Sequence, residues 1–77
     1  MAKNRTNISI AFGNRLRELR QQRNMSQEEL ANKIDTPISQ ISRMERGEGN
    51  PTLHTLFEIS TALKVDLKEL IDFNHSI

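Results

Sequence analysis

Apolar residues recur three and four positions apart through most of this chain, and outside the short run 6–10 Val, Ile, Thr and aromatic residues do not alternate with polar ones over the length of a strand. That period allows helices only. With 77 residues, of which 35% are hydrophobic, the ceiling is one small domain. There is no cysteine, hence no disulfide framework and no thiolate zinc site. His54 and His75 cannot build a structural metal centre between them, so we expect no metal and no cofactor. A compact helical core must hold the chain together without a staple. Unbroken apolar runs of two or three residues are far short of a membrane span, and the polar start has no signal-peptide stretch. A soluble, cytoplasmic chain with no membrane partner is expected.

The first apolar stripe, Phe12, Leu16 and Leu19, predicts a helix from residue 8 or 9 to 23, with Asn24 as a left-handed stop. Ser26-Gln27-Glu28-Glu29 reads as a capping box that opens a second helix, with Leu30, Ala31 and Ile34 inward and Asp35 at its end. Thr36 and Pro37 read as N-cap and first position of a third helix running to about Arg46 and stopping at Gly47. After the loop Glu48-Gly49-Asn50-Pro51, Thr52 caps a fourth helix. Asp66-Leu67-Lys68-Glu69 reads as a second capping box, opening a fifth. The organisation expected is an arm at 1–7, a domain at 8–73 and a tail at 74–77.

The net charge of +1 is unevenly distributed. Lys3, Arg5, Arg15, Arg17, Arg20 and Arg23 face only Glu18 in the first third, whereas Glu48, Glu58, Asp66, Glu69 and Asp72 outnumber Lys64 and Lys68 in the last. A basic first third suggests a polyanion partner; the alternative is a solvated helix face. The second and third helices, joined by two or three residues, have the spacing of a helix-turn-helix. In the third, Ile41 and Met44 point to the core and leave Ile38, Ser39, Ser42, Arg43 and Arg46 on the far side. Such a face suits base-edge reading: Arg donates twice to guanine, Ser donates or accepts, and an aliphatic group rests on a thymine methyl. An ordinary solvated face has the same composition.

The series Arg15-Leu16-Arg17-Glu18-Leu19-Arg20, Met25-Ser26-Gln27-Glu28-Glu29-Leu30-Ala31, Ile41-Ser42-Arg43-Met44-Glu45-Arg46-Gly47, Asn50-Pro51-Thr52-Leu53 and Ala62-Leu63-Lys64-Val65 resembles the Cro/phage-repressor, or XRE, helix-turn-helix family. Within it the chain is most similar to short stand-alone regulators such as restriction-modification controller proteins. The resemblance implies an all-α, compact, five-helix lambda-repressor-like domain with its helix-turn-helix at helices 2 and 3. It implies a sequence-specific transcriptional regulator that binds double-stranded DNA at a palindromic operator as a homodimer and regulates its own expression. By position, Gln27 corresponds to a phosphate clamp, and Ile38, Ser39, Ser42 and Arg43 to base readers. Gln40, Arg46 and Asn50, with the amides of residues 47–50, correspond to phosphate contacts. Arg20 and Glu45 correspond to a buried salt bridge, a structural pair rather than a DNA contact.

Asn24 and Asp35 stand where the family usually has Gly, and Glu48 is acidic where a basic residue would help phosphate contact. If the third helix begins one residue late, Pro37 is itself the cap. The last two helices carry more apolar residues than a small core needs, so Leu53, Phe57, Leu67, Ile71 and Phe73 are expected to form a dimer patch; the alternative is that they complete the core. No Gly-rich phosphate loop or nucleophile with a base is visible, so an enzyme is not expected, nor a small-molecule ligand. The competing reading is an antitoxin or adaptor whose main partner is another protein, a toxin or RNA polymerase.

Overall fold

The first four helices close in the same way. In the computed structural model, which describes residues 6–73, α1 runs Asn7–Gln22, α2 Gln27–Lys33, α3 Ile38–Glu45, α4 Leu53–Leu63 and α5 Leu67–Leu70. Beyond each of α1 to α4 one residue turns left-handed: Asn24, Asp35, Gly47 and Lys64, with φ of 54°, 54°, 82° and 58°. The amide of that residue and the next amide then return to the helix's last turn. At α1 the bonds are Asn24 to Gln21 and Met25 to Arg20, and at α3 they are Gly47 to Met44 and Glu48 to Arg43. This closure satisfies carbonyls that a helix end would otherwise leave unpaired.

The helix starts differ more. Thr6, Ser26 and Thr52 each accept the amide three residues on. At Ser26 the reciprocal bond from Glu29 completes the capping box, with both distances near the ideal at 2.8 and 3.0 Å. α1 therefore begins at Asn7, slightly earlier than the apolar stripe suggests. Two expected starts are corrected. Pro37 rather than Thr36 is the N-cap of α3, in extended backbone at ψ 146°, and it offers no side-chain acceptor. Asp66 occupies the N-cap of α5 without a side-chain bond, so the second capping box does not form. α5 is a single turn and leaves Ile71 and Phe73 beyond its end. Residues 1–5 of the expected arm and the expected tail 74–77 lie outside the described residues.

The core gathers Leu16 and Leu19 from α1, Leu30 from α2, Ile41 from α3, Ile59 and Leu63 from α4 and Leu70 from α5, all fully buried. Each such side chain contributes about 1.5–3 kcal/mol of transfer free energy. α1 packs on α3 and α5, α2 on α3 and α4, and α4 on α5. At the α1–α3 crossing, the position a Cβ would take on Gly13 is 2.5 Å from the Met44 carbonyl oxygen and 2.8 Å from that of Glu45. Only a hydrogen fits there, so glycine sets the spacing between the first and third helices. Phe73 closes the far end edge-on to Phe12, with ring centroids 6.4 Å apart. Among the described residues no helix is long and apolar enough to cross a membrane.

Candidate nucleic-acid interface

The α2–α3 pair is joined through Ile34, Asp35, Thr36 and Pro37. Ile41 and Met44 bury one side of α3. The opposite side leaves Ser39, Gln40, Arg43 and Arg46 exposed, with Ile38 at 48% exposure. The Arg43 side chain makes no hydrogen bond or ion pair with another described residue. Its guanidinium is the one on this face without an internal partner, because Arg46 Nε lies 3.3 Å from Glu48 Oε2. A phosphate at Arg46 would have to compete with that carboxylate.

Behind this face sits a network centred on Glu45, whose side chain is fully buried. Arg20 donates through Nε at 2.6 Å and Nη2 at 2.9 Å to the two carboxylate oxygens, and through Nη1 at 2.8 Å to the Met25 carbonyl. Arg17 reaches the same carboxylate at 3.4 Å and the Glu45 carbonyl at 3.1 Å. Gln27 Nε2 donates to Glu45 Oε1 at 2.9 Å, and Ser42 Oγ donates to Gln27 Oε1 at 2.8 Å. Burial pushes the Glu45 carboxyl up, but the hydrogen bonds from Arg20 and Gln27, the Arg20 charge and the Arg17 bond outweigh it and hold its pKa below its ordinary value. The hydrogen bond to Glu45 raises the Arg20 pKa against the opposing effect of its own burial, and the carboxylate charge adds to the rise. Two groups assigned to DNA, Gln27 and Ser42, are thus half-buried and tied to the structural ion pair.

The arginines of α1 that make the first third basic bond within the domain. Arg15 donates to Glu18 and to the Glu69 carbonyl, Arg23 to the Leu63 and Lys64 carbonyls, and Arg17 and Arg20 to Glu45. Arg15 and Arg23 therefore act as C-terminal caps for α5 and α4, where a cation meets the negative end of a helix. All four are engaged within the domain, and Lys3 and Arg5 lie outside the described residues. The sequence reading passes over Arg17; its position three residues before Arg20 on the same helix face is the signal that places it beside Glu45. In the loop after α3, the amides of Gly47 and Glu48 serve the helix end rather than a phosphate. Asn50 is exposed.

The expected dimer patch divides. Leu53 and Phe57, one turn apart on α4, are 70% and 60% exposed, and Ile71 is 45% exposed. Leu67 and Phe73 are half-buried and pack against the core. Ile71 instead borders an apolar groove of about 310 Å³ with Ile8, Phe12, Pro51 and Leu56.

Comparison with known proteins agrees with this geometry. A helix-turn-helix family model matches residues 16–70. The control protein C.BamHI of Bacillus amyloliquefaciens is 44% identical over 68 residues, which are 87% of this chain and 84% of that protein. The restriction-modification controller protein C.AhdI from Aeromonas hydrophila superposes with a TM-score of 0.78 at 39% identity, over 80% of this chain and 94% of its own. SinR, a master regulator for biofilm formation solved in complex with DNA, superposes with a TM-score of 0.74 at 32% identity, over 79% of this chain and 98% of its own. The family is one of transcription regulators and not of enzymes. A solvent-facing α3 backed by a fixed polar network thus belongs to a member of the XRE-type helix-turn-helix family, a DNA-binding regulator of transcription.

Proposed function

We propose that this chain binds a palindromic operator as a homodimer in the cytoplasm, with α3 in the major groove, and controls a restriction-modification operon that includes its own gene. One observation carries the reading: Arg43 stands exposed and unpaired on the outward face of α3, while the four arginines of α1 are engaged inside the domain. A free guanidinium between Ser39, Gln40 and Ser42 is equipped for bidentate contact with guanine, and Ile38 for a thymine methyl. Gln27, Gln40, Arg46 and Asn50 border this face and position the backbone. Two copies related by a two-fold axis would place their α3 helices about 34–36 Å apart, one turn of DNA. The likeness to C.BamHI and C.AhdI supports the operon assignment.

Selection from a random duplex library at fixed salt tests this. The expected winner is palindromic and preferred over scrambled DNA by about a thousandfold or more. Arg43→Ala should relax one position per half-site, a loss of about 1–3 kcal/mol there. Arg46→Ala should weaken all sequences about alike and reduce the salt slope. An unenriched library would remove the reading. It would favour a protein partner seated on exposed Leu53 and Phe57 of α4, as an antitoxin or an adaptor would require.

A further inference from the structure

The hydrogen of the Ser42 hydroxyl already has a destination. Ser42 Oγ donates to Gln27 Oε1 at 2.8 Å, and a serine hydroxyl has a single hydrogen to give. Gln27 cannot turn its amide around, because its Nε2 donates at 2.9 Å to Glu45 Oε1, and an ionised carboxylate only accepts. A flipped amide would set oxygen against oxygen at that contact. Glu45 in turn is held by Arg20 at both carboxylate oxygens, with its side chain fully covered. Every bond in the series therefore has its direction fixed from the core outward: Arg20 gives to Glu45, Gln27 gives to Glu45, and Ser42 gives to Gln27. What remains on Ser42 Oγ is lone pairs.

We infer that Ser42 reads its base as a hydrogen-bond acceptor only, so that the base facing it must bring an exocyclic amino group into the major groove. Adenine does so through N6 and cytosine through N4. Guanine presents only N7 and O6 there, and thymine only O4 and a methyl, so both are rejected. A serine with a free hydrogen would tolerate all four bases; the buried carboxylate two bonds away makes this one selective. Glu45 and Gln27 are positioning residues in this reading, and the inference rests on the proposed DNA-reading role of α3. A single hydrogen bond of this kind corresponds to about a three- to tenfold preference.

The experiment compares sequences selected by the wild-type chain, Ser42→Ala and Gln27→Met, with circular dichroism melting to verify that each variant folds. Ser42→Ala should erase the preference at one position per half-site and keep the others. In the wild-type selection that position should carry adenine or cytosine on one fixed strand of the half-site, with the reversed pairs rejected. Replacing that base by the analogue lacking the amino group, purine or 2-pyrimidinone, should cost the wild type about three- to tenfold and leave Ser42→Ala unaffected. Gln27→Met releases the serine hydrogen and should admit guanine or thymine on that same strand, beyond any uniform loss of affinity. Equal acceptance of a base pair and its reversal there, no loss of wild-type affinity when the amino group is removed from either strand, or a Ser42→Ala selection identical to wild type, overturns the inference and leaves the regulator reading intact. Failure of the wild type to enrich any sequence overturns both.

Discussion

At the scale of the residue, Glu45 does most to join stability to recognition. Four polar side chains from three helices converge on its carboxylate or on a group bound to it. Its folded pKa is depressed, so the stabilisation is complete above the unfolded value of about 4.3 and is lost as pH falls through the folded value. Glu45→Gln leaves the partly buried Arg20 without its counter-charge and should cost about 3–5 kcal/mol near neutral pH. The gap in melting temperature between wild type and variant, followed by circular dichroism, should be constant down to about pH 4.3 and close below it. A gap of the same size at every pH would show that ionisation of Glu45 has no part in the effect. The pairing of Arg20 with Glu45 entered the sequence reading through family resemblance alone, since residues 25 positions apart give no local signal. Arg17 follows once Arg20 is placed, three residues on along the same helix face, but the contribution of Gln27 depends on how α2 packs on α3, which periodicity does not specify.

At the scale of the element, helix number and order follow from the apolar period and the caps, and the structure has the same five in the same sequence. Legibility fails where the outcome depends on a competing neighbour. The Ser26 box is legible because both of its bonds are local, whereas the similar Asp66 pattern opens a helix of four residues and makes no side-chain bond. Asn24 and Asp35 announce their left-handed turns by residue type; Lys64 does not, yet its φ is 58°. Lys64 is an ordinary residue in a conformation that costs about 1–2 kcal/mol outside glycine. Lys64→Gly should therefore stabilise the chain by about 0.5–1 kcal/mol once the greater freedom of unfolded glycine is offset. Arg23 bonds the backbone carbonyl there, so that contact survives the change. Gly47→Ala should do the opposite, because the added methyl would lie 2.8 Å from Ile10 Cγ1 at a φ of 82°. Thermal melts of both variants measure the two signs.

At the scale of the whole molecule, the domain has a polar reading face on α3 and exposed apolar residues on α4, Leu53 and Phe57. The apolar surplus of the last two helices was legible; its division was not. Phe73 fills the end of the core against Phe12, while Phe57 remains 60% exposed on the turn after Leu53. Pairing through α4 predicts that Phe57→Asp raises the monomer fraction in sedimentation with little change in melting temperature. Phe73→Asp should instead lower the melting temperature, because it places a carboxylate against Phe12. Equal sedimentation of Phe57→Asp and wild type would exclude that side chain from the interface.

The missing Cβ of Gly13 also bears on how this regulator can fail. Any larger residue there must move the carbonyls of Met44 and Glu45, and with them the end of α3 that carries Arg43 and Arg46. In a screen for alleles that no longer repress or activate, Gly13 would therefore score alongside the groove-facing positions although it is a buried residue of α1. Gly13 thus contributes to the reading face through the volume it leaves empty.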